Sequence, residues 1–316
     1  MASLNQPFSS LSTRRRYEVW FLRLGLADGS GAWWFRYLLM NPGRNGCHGD
    51  PLGSPAQVWA TWFPTGGKPQ SFIQGFSRNE IEIGSSAKSP FHLRIANNAI
   101  DEGSCCGSLG VDGHQIAWSL LYSSTFQVTL SNKGWIGFSR TPHSDAVFSG
   151  EIKFDGRTFR GDPLAFGLQG HNCGYRHRNF WIWTHACFPQ KQGTMSTLEG
   201  LLYEMPFGLV FGKAVLWHNQ RRYDFRSLRT VELKRETMLW NFVCEGRSGM
   251  IKASINGAGP SVHRLPYLKT DCSGTFEVMN NSLASASVLI EGSGKSELLE
   301  TSAGAVLEIA GNYSQV

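Results

Sequence analysis

The sequence predicts an all-β protein made of two antiparallel β-barrel or β-sandwich domains packed together. Short runs rich in aromatic and β-branched residues recur along the whole chain, punctuated by Gly, Asn, Asp and Pro. Long helical periodicity is missing. The chain has 316 residues, with 36 glycines and 11 tryptophans, and the number of such runs suits two closed or nearly closed sheets better than one.

The elements follow in order. The start, "MASLNQPFSSLSTRRR", is rich in Ser and Arg and lacks acids, as organelle transit peptides are, but it is short. It reads as a disordered tail ahead of a first strand at Tyr17. "YEVWFLRLGL", "ADGSG" and "AWWFRYLLM" then read as strand, turn and strand. A period of two places Trp33, Phe35, Tyr37 and Leu39 on one face. "VWATWF", "FIQGF", "FHLRIA", "HQIAWSLLY" and "FQVTL" continue the pattern. "EIKF-DG-RTFR" is a hairpin, because Asp-Gly supplies the positive φ angles of a two-residue turn. "GLLYEMP", "LVFGKAVLWH", "VELKRETMLWNF", "MIKASI", "TFEVMN", "SASVLIEG" and "AVLEIAG" repeat the style in the second half. The expected division is residues 17–179 for the N-terminal domain and 180–316 for the C-terminal one.

Composition narrows the function classes. At 41% hydrophobic and 17% charged the chain reads as a soluble globular protein. No apolar run approaches the roughly 18–20 residues of a membrane span, so no integral membrane segment is expected. The formal net charge of +6 favours solubility and attracts anions. The basic residues are scattered apart from Arg14-Arg15-Arg16 and Arg221-Arg222, and no nucleic-acid motif accompanies them, so no nucleic-acid partner is expected. The seven cysteines include no CxxC and no zinc-finger spacing. Together with the lack of an apolar signal core, this predicts reduced thiols and a cytoplasmic location.

The densest chemistry lies in "GHNCGYRHRNFWIWTHACF", Gly170 to Phe188. In an extended chain His171, Cys173, Tyr175 and His177 share one face. Trp181, Trp183 and His185 share a face of the strand that follows, and Gly170 and Gly174 mark a turn or bulge. An imidazole beside indoles in a β interior can donate a proton; equally, it can be a core residue bonded to backbone groups. His177, between two arginines, reads as exposed. The His and Cys spacings match no familiar ligand set, so no metal is expected. GxSxG, GxGxxG and P-loop patterns are missing, and no cofactor is expected. Downstream, "LEGLLYEMPFG" offers Glu199, Tyr203 and Glu204, with Leu201 and Tyr203 on one strand face and Leu202 and Glu204 on the other. A carboxyl inside a tryptophan-rich cavity would be pushed up by desolvation and could serve as an acid near neutral pH.

"FGLQGHNCGYRHRNFWIWTHACF" resembles the GHNWG…H…W-x-W signature of the AttH-like group, which includes the carotenoid hydratases. Tocopherol cyclase and the fungal lipocalin-like Diels–Alderases look like more distant relatives. The early "YEVWFLRL…WWFRYLL" and the "GEIKFDGRTFR" hairpin sit where that group has comparable strands. The resemblance implies two lipocalin-like domains meeting near the signature, with a pocket for a mostly apolar substrate. In the carotenoid hydratases the His and Trp of the HNW triplet are associated with catalysis, together with a Tyr-x-Asp pair further on. Here the His corresponds to His171 and the Trp has become Cys173. The downstream pair falls on "LLYE", where Glu204 replaces the acid and Leu202, or a displaced Tyr203, stands at the Tyr position.

The expectation is an enzyme, working without a cofactor, that shapes an apolar polyene or isoprenoid-like small molecule for cyclisation, isomerisation or hydration at the domain junction. His171, Glu204 and Tyr203 are the catalytic candidates. Trp33, Cys173, Tyr175, Trp181, Trp183 and His185 are the substrate-binding ones. Two rivals stay open: a pericyclase of the Diels–Alderase kind, acting mainly by substrate preorganisation, and a non-catalytic carrier of a lipid-like ligand.

Overall fold

The computed structural model describes residues 3–8, 12–47, 51–86, 89–132, 137–190, 194–246, 249–292 and 295–311. The first half forms strands β1 (Tyr17–Leu26), β2 (Gly31–Met40), β3 (Ala56–Pro64), β4 (Gln70–Phe76), β5 (Ile81–Ser86) and β6 (Ser89–Ile95). It continues with β7 (Asn98–Asp101), β8 (Ser104–Val111), β9 (His114–Ser123), β10 (Val128–Asn132), β11 (Gly137–Phe154) and β12 (Arg157–Gly174). The second half forms β13 (Trp181–Pro189), β14 (Met195–Glu204), β15 (Val210–His218), β16 (Arg221–Phe225) and β17 (Ser227–Lys234). It ends with β18 (Leu239–Gly246), β19 (Gly249–Asn256), β20 (His263–Leu268), β21 (Thr275–Gly292) and β22 (Lys295–Ala310).

Two antiparallel sheets result. The first is ordered β4-β3-β2-β1-β12-β11-β9-β8-β7-β6-β5, with β10 on β11. The second is ordered β16-β15-β14-β13-β22-β21-β19-β18-β17, with β20 on β21. Each curls around a core of its own, and the fold is all-β and lipocalin-like, as expected. Trp20, Leu22, Trp33, Phe35, Trp118 and Phe148 fill the first lumen. Ile182, Leu198, Trp240, Phe242 and Leu307 fill the second. A third core lies between the sheets and takes Phe21, Trp34, Trp59, Trp183, Val215 and Val306.

Local sequence explains the local form. Asp155 and Gly156 adopt φ values of 46° and 79°, and Phe154 pairs with Arg157, so the Asp-Gly pair makes the two-residue turn between β11 and β12. In the turn between β1 and β2, the backbone N–H of Ser30 donates to Asp28 Oδ1 at 2.9 Å and its hydroxyl at 2.7 Å. β2 alternates as expected, but both of its faces are buried. Trp33, Phe35, Tyr37 and Leu39 enter the first lumen, while Trp34, Leu38 and Met40 face the second sheet. Each such side chain contributes about 1.5–3 kcal/mol by leaving water.

Two further contacts join the sheets. Arg23, 1% exposed, reaches from β1 to the backbone of the β21–β22 region. Its Nη2 donates to the Ser282 carbonyl at 2.5 Å, Ala303 at 2.9 Å and Ala305 at 3.3 Å, and its Nη1 to Gly304 at 3.2 Å. Elsewhere Cys47, in the connection after β2, forms a disulfide with Cys272, in the connection after β20. That bond corrects the expectation of reduced thiols throughout, since the pair is remote in sequence and adjacent only in the folded chain.

The N-terminal segment departs from the disordered tail expected of it. Asn5 is fully buried, and its carbonyl accepts from Trp20 Nε1 at 3.1 Å. Phe8 packs edge-on against Tyr175, with ring centroids 6.1 Å apart. Residues 3–8 therefore cover one end of the first lumen. Among the described residues no helix is long and apolar enough to cross a membrane.

Candidate functional site

The alternation that buries both faces of β1 and β2 also leaves a gap where the sheets splay. A cavity of about 1000 Å³ opens there. Tyr17, Val19 and Phe21 of β1 and Trp34 and Arg36 of β2 form one wall. Trp181 and Trp183 of β13, Leu201 and Tyr203 of β14, Tyr267 of β20 and Glu308 of β22 form the other. The connection from β12 to β13 crosses one side with Tyr175, His177 and Arg178.

Glu308 is the acid of this wall. Its carboxyl accepts from Trp181 Nε1 at 2.9 Å, Tyr267 Oη at 3.2 Å and Asn280 Nδ2 at 3.4 Å. Burial raises it above the usual carboxylate range, outweighing those donors and the nearby charge of Arg36. His177 is half-buried, stacked on Tyr17 with centroids 4.0 Å apart, and its Nδ1 has no hydrogen-bond partner among the described residues. Burial, assisted by the Arg36 charge, pushes it down to about 3, so it is neutral near pH 7. This corrects the expectation that His177 is exposed. Burial also raises the phenols of Tyr17 and Tyr267, keeping both as neutral donors.

Of the residues singled out from the sequence, the cavity brings together Cys173, Tyr175, His177, Trp181, Trp183 and Tyr203. The others lie elsewhere. Trp33 sits inside the first lumen against Phe35 and Trp62, and its neighbour Trp34 lines the cavity instead. Because β2 is apolar on both faces, period two alone does not say which face meets a ligand. His185 is fully buried and donates from Nε2 to the Ser144 carbonyl at 2.7 Å. Burial lowers it to about 3. Glu204 falls on the opposite strand parity to Tyr203 and is not among the lining residues.

His171 also lies away from the cavity. Its register partner is Trp20, and both point into the first lumen, stacked at 4.4 Å between centroids. Nε2 lies 3.0 Å from Glu18 Oε1 and Nδ1 lies 2.9 Å from the Leu4 carbonyl. Glu18 in turn accepts the Phe8 N–H at 2.7 Å and faces Arg16 at 3.3 Å. The imidazole thus ties the N-terminal segment over the lumen.

Sequence reasoning passed over Arg36, Tyr267 and Glu308. The signal for two of them was present: one cation in "AWWFRYLLM" and one acid in "AVLEIAG". Glu199 was noticed, and the structure seals it behind Trp183. Thr141 Oγ1 donates to it at 2.7 Å and Trp183 Nε1 at 3.1 Å, and burial raises it to about 7. Among the described residues no group of three or more His, Cys, Asp or Glu is arranged to hold a metal ion.

No family model matches the chain, and no curated protein matches it in sequence. Solved structures do share its fold. A protein assigned as AttH from Nitrosomonas europaea superposes with a TM-score of 0.54 at 12% identity, covering 95% of this chain and 93% of that one. Kievitone hydratase from Nectria haematococca superposes with a TM-score of 0.59 at 11% identity, covering 99% of this chain and 93% of that one. Identities this low establish the shared two-sheet fold.

Proposed function

We propose that the protein is an enzyme that protonates an unsaturated, mostly apolar small molecule held between its two sheets, leading to hydration, isomerisation or cyclisation. The observation that carries this is the Glu308 carboxyl, set in an aromatic wall and raised by burial. A buried carboxylic acid is a competent proton donor near neutral pH. That a hydratase shares the fold over nearly the whole chain supports the same chemistry.

In the proposed step the π electrons of a ligand double bond take the Glu308 proton, forming a C–H bond and leaving a carbocation. The rings of Tyr17 and Trp181 offer π faces to that cation. Trp181, Tyr267 and Asn280 hydrogen-bond the carboxylate that remains. The cation then captures water, whose proton passes to His177 Nδ1 or returns to Glu308; loss of a neighbouring proton gives an isomer, and attack by a second double bond closes a ring.

The test is turnover of a panel of polyenes and isoprenoid-substituted phenols in ¹⁸O-labelled water, followed by mass spectrometry. The wild type is expected to give a hydrated, isomeric or cyclised product. Glu308→Gln should lose about 10²–10⁴-fold in rate while its cavity tryptophans still report ligand binding. Undiminished turnover by Glu308→Gln would overturn the acid role and favour a pericyclic reaction.

A further inference from the structure

We infer that the ligand of this cavity is an amphipathic anion, an apolar body carrying a carboxylate or phosphate group that seats on Arg36. This rests on the reading above that the cavity is where the ligand binds, and it adds the ligand's chemical class.

Arg36 is 5% exposed and lines the cavity. Its guanidinium lies over the rings of Tyr267 at 4.2 Å, Trp59 at 4.5 Å and Trp34 at 5.3 Å. Among the described residues its buried Nη1 has no hydrogen-bond partner and no carboxylate forms an ion pair with it. A guanidinium keeps its charge in proteins, with donors in a planar fork that fits carboxylate or phosphate. A buried cation without an anion is costly, and aromatic faces offset only part of that cost. Glu308, the one acid among the described lining residues, is occupied by three donors and forms no ion pair with Arg36. Among the described residues the guanidinium has a buried donor left over, and the cavity is where an anion can reach it.

The approach to Arg36 carries the same sign. Arg14, Arg15, Arg44, Arg176 and Arg178 also line the cavity. Three of them contact neutral groups: Arg14 meets Tyr175 Oη at 3.3 Å, Arg44 the Thr13 carbonyl at 2.8 Å, and Arg178 the Tyr203 ring at 5.2 Å. Positive charge around a low-dielectric opening draws anions toward it.

The test uses the full chain and three probes of one apolar length: dodecanoate, dodecyl phosphate and dodecanol, all below their micelle thresholds. Binding is read by calorimetry and tryptophan quenching. At least one anion is expected to bind about tenfold or more tightly than the alcohol, and Arg36→Met should bring that anion to the level of the alcohol. Arg36→Lys, which keeps the charge and loses the fork, should retain part of the preference, and it serves if Arg36→Met does not fold. Preference for dodecanoate identifies a carboxylate ligand, and preference for dodecyl phosphate a phosphate ligand. Equal binding of all three probes overturns the anionic class and leaves the cavity as the ligand site. Binding by none of them overturns both readings.

Discussion

Two buried arginines on neighbouring strands, Arg23 of β1 and Arg36 of β2, stand two register positions apart and meet very different partners. Arg23 donates to the carbonyls of Ser282, Ala303, Gly304 and Ala305 and so ties β1 to the second sheet. Arg36 lies against the faces of Trp34, Trp59 and Tyr267 and, among the described residues, forms no ion pair where it lines the cavity. Residue type and burial are the same; the partners differ. A buried cation whose donors are satisfied by backbone is part of the frame. One held by aromatic faces alone is poised for something that comes from outside.

The sharpest way to break this comparison is to remove each cation in turn. Arg23→Met leaves its carbonyl acceptors unpaired and should cost about 3–5 kcal/mol of stability in urea unfolding. Arg36→Met removes a charge that forms no ion pair among the described residues and should change stability by less than about 1 kcal/mol. Equal losses would erase the distinction. The Cys47–Cys272 disulfide also ties the two sheets, flanked by Asn41 Nδ2 donating to the Thr270 carbonyl at 2.8 Å. Cys272→Ser should therefore cost about 2–5 kcal/mol and weaken ligand binding as well, whereas Arg23→Met should act on stability alone.

A smaller effect separates the acids. Glu199, at about 7 in the folded chain, keeps a proton that the unfolded chain releases near its ordinary value of 4.5. Its contribution to stability is complete below that value and is lost as pH rises to about 7, a fall of about 2–3 kcal/mol. His177 and His185, at about 3 when folded, act oppositely and raise stability as pH climbs from about 3 to 6.5. The difference between the wild type and Glu199→Gln in urea midpoint across pH 4–8 isolates the carboxyl. A difference that does not vary with pH would contradict its raised value.

How much of this the sequence revealed follows the range of the interactions. The Asp155-Gly156 hairpin, the β1–turn–β2 unit and the Trp181-x-Trp183 strand are set by neighbours in the chain, and all were legible. The parity of β2 was not, because Trp33 and Trp34 are both buried and only the second sheet decides which one faces the cavity. Arg36, Tyr267 and Glu308 come from strands far apart in sequence, and their meeting is a property of the packed sheets. His171 reads as a donor into a pocket because it matches the His of the resembled signature and stands in a glycine-bounded stretch. The fold uses the aromatic residues around it as a lumen wall and closes the lumen with Leu4, Asn5 and Phe8, a segment whose polar composition suggested no core role.

The central claim is that chemistry occurs between the sheets, at Glu308, and not in the first lumen at His171. The most direct measurement is the rate of Glu308→Gln against that of His171→Gln on one turned-over substrate, each folded and well below its melting temperature. The account predicts a loss of about 100-fold or more for Glu308→Gln and a rate within about threefold of wild type for His171→Gln. A His171→Gln protein that is folded but inactive, beside an active Glu308→Gln protein, would contradict it.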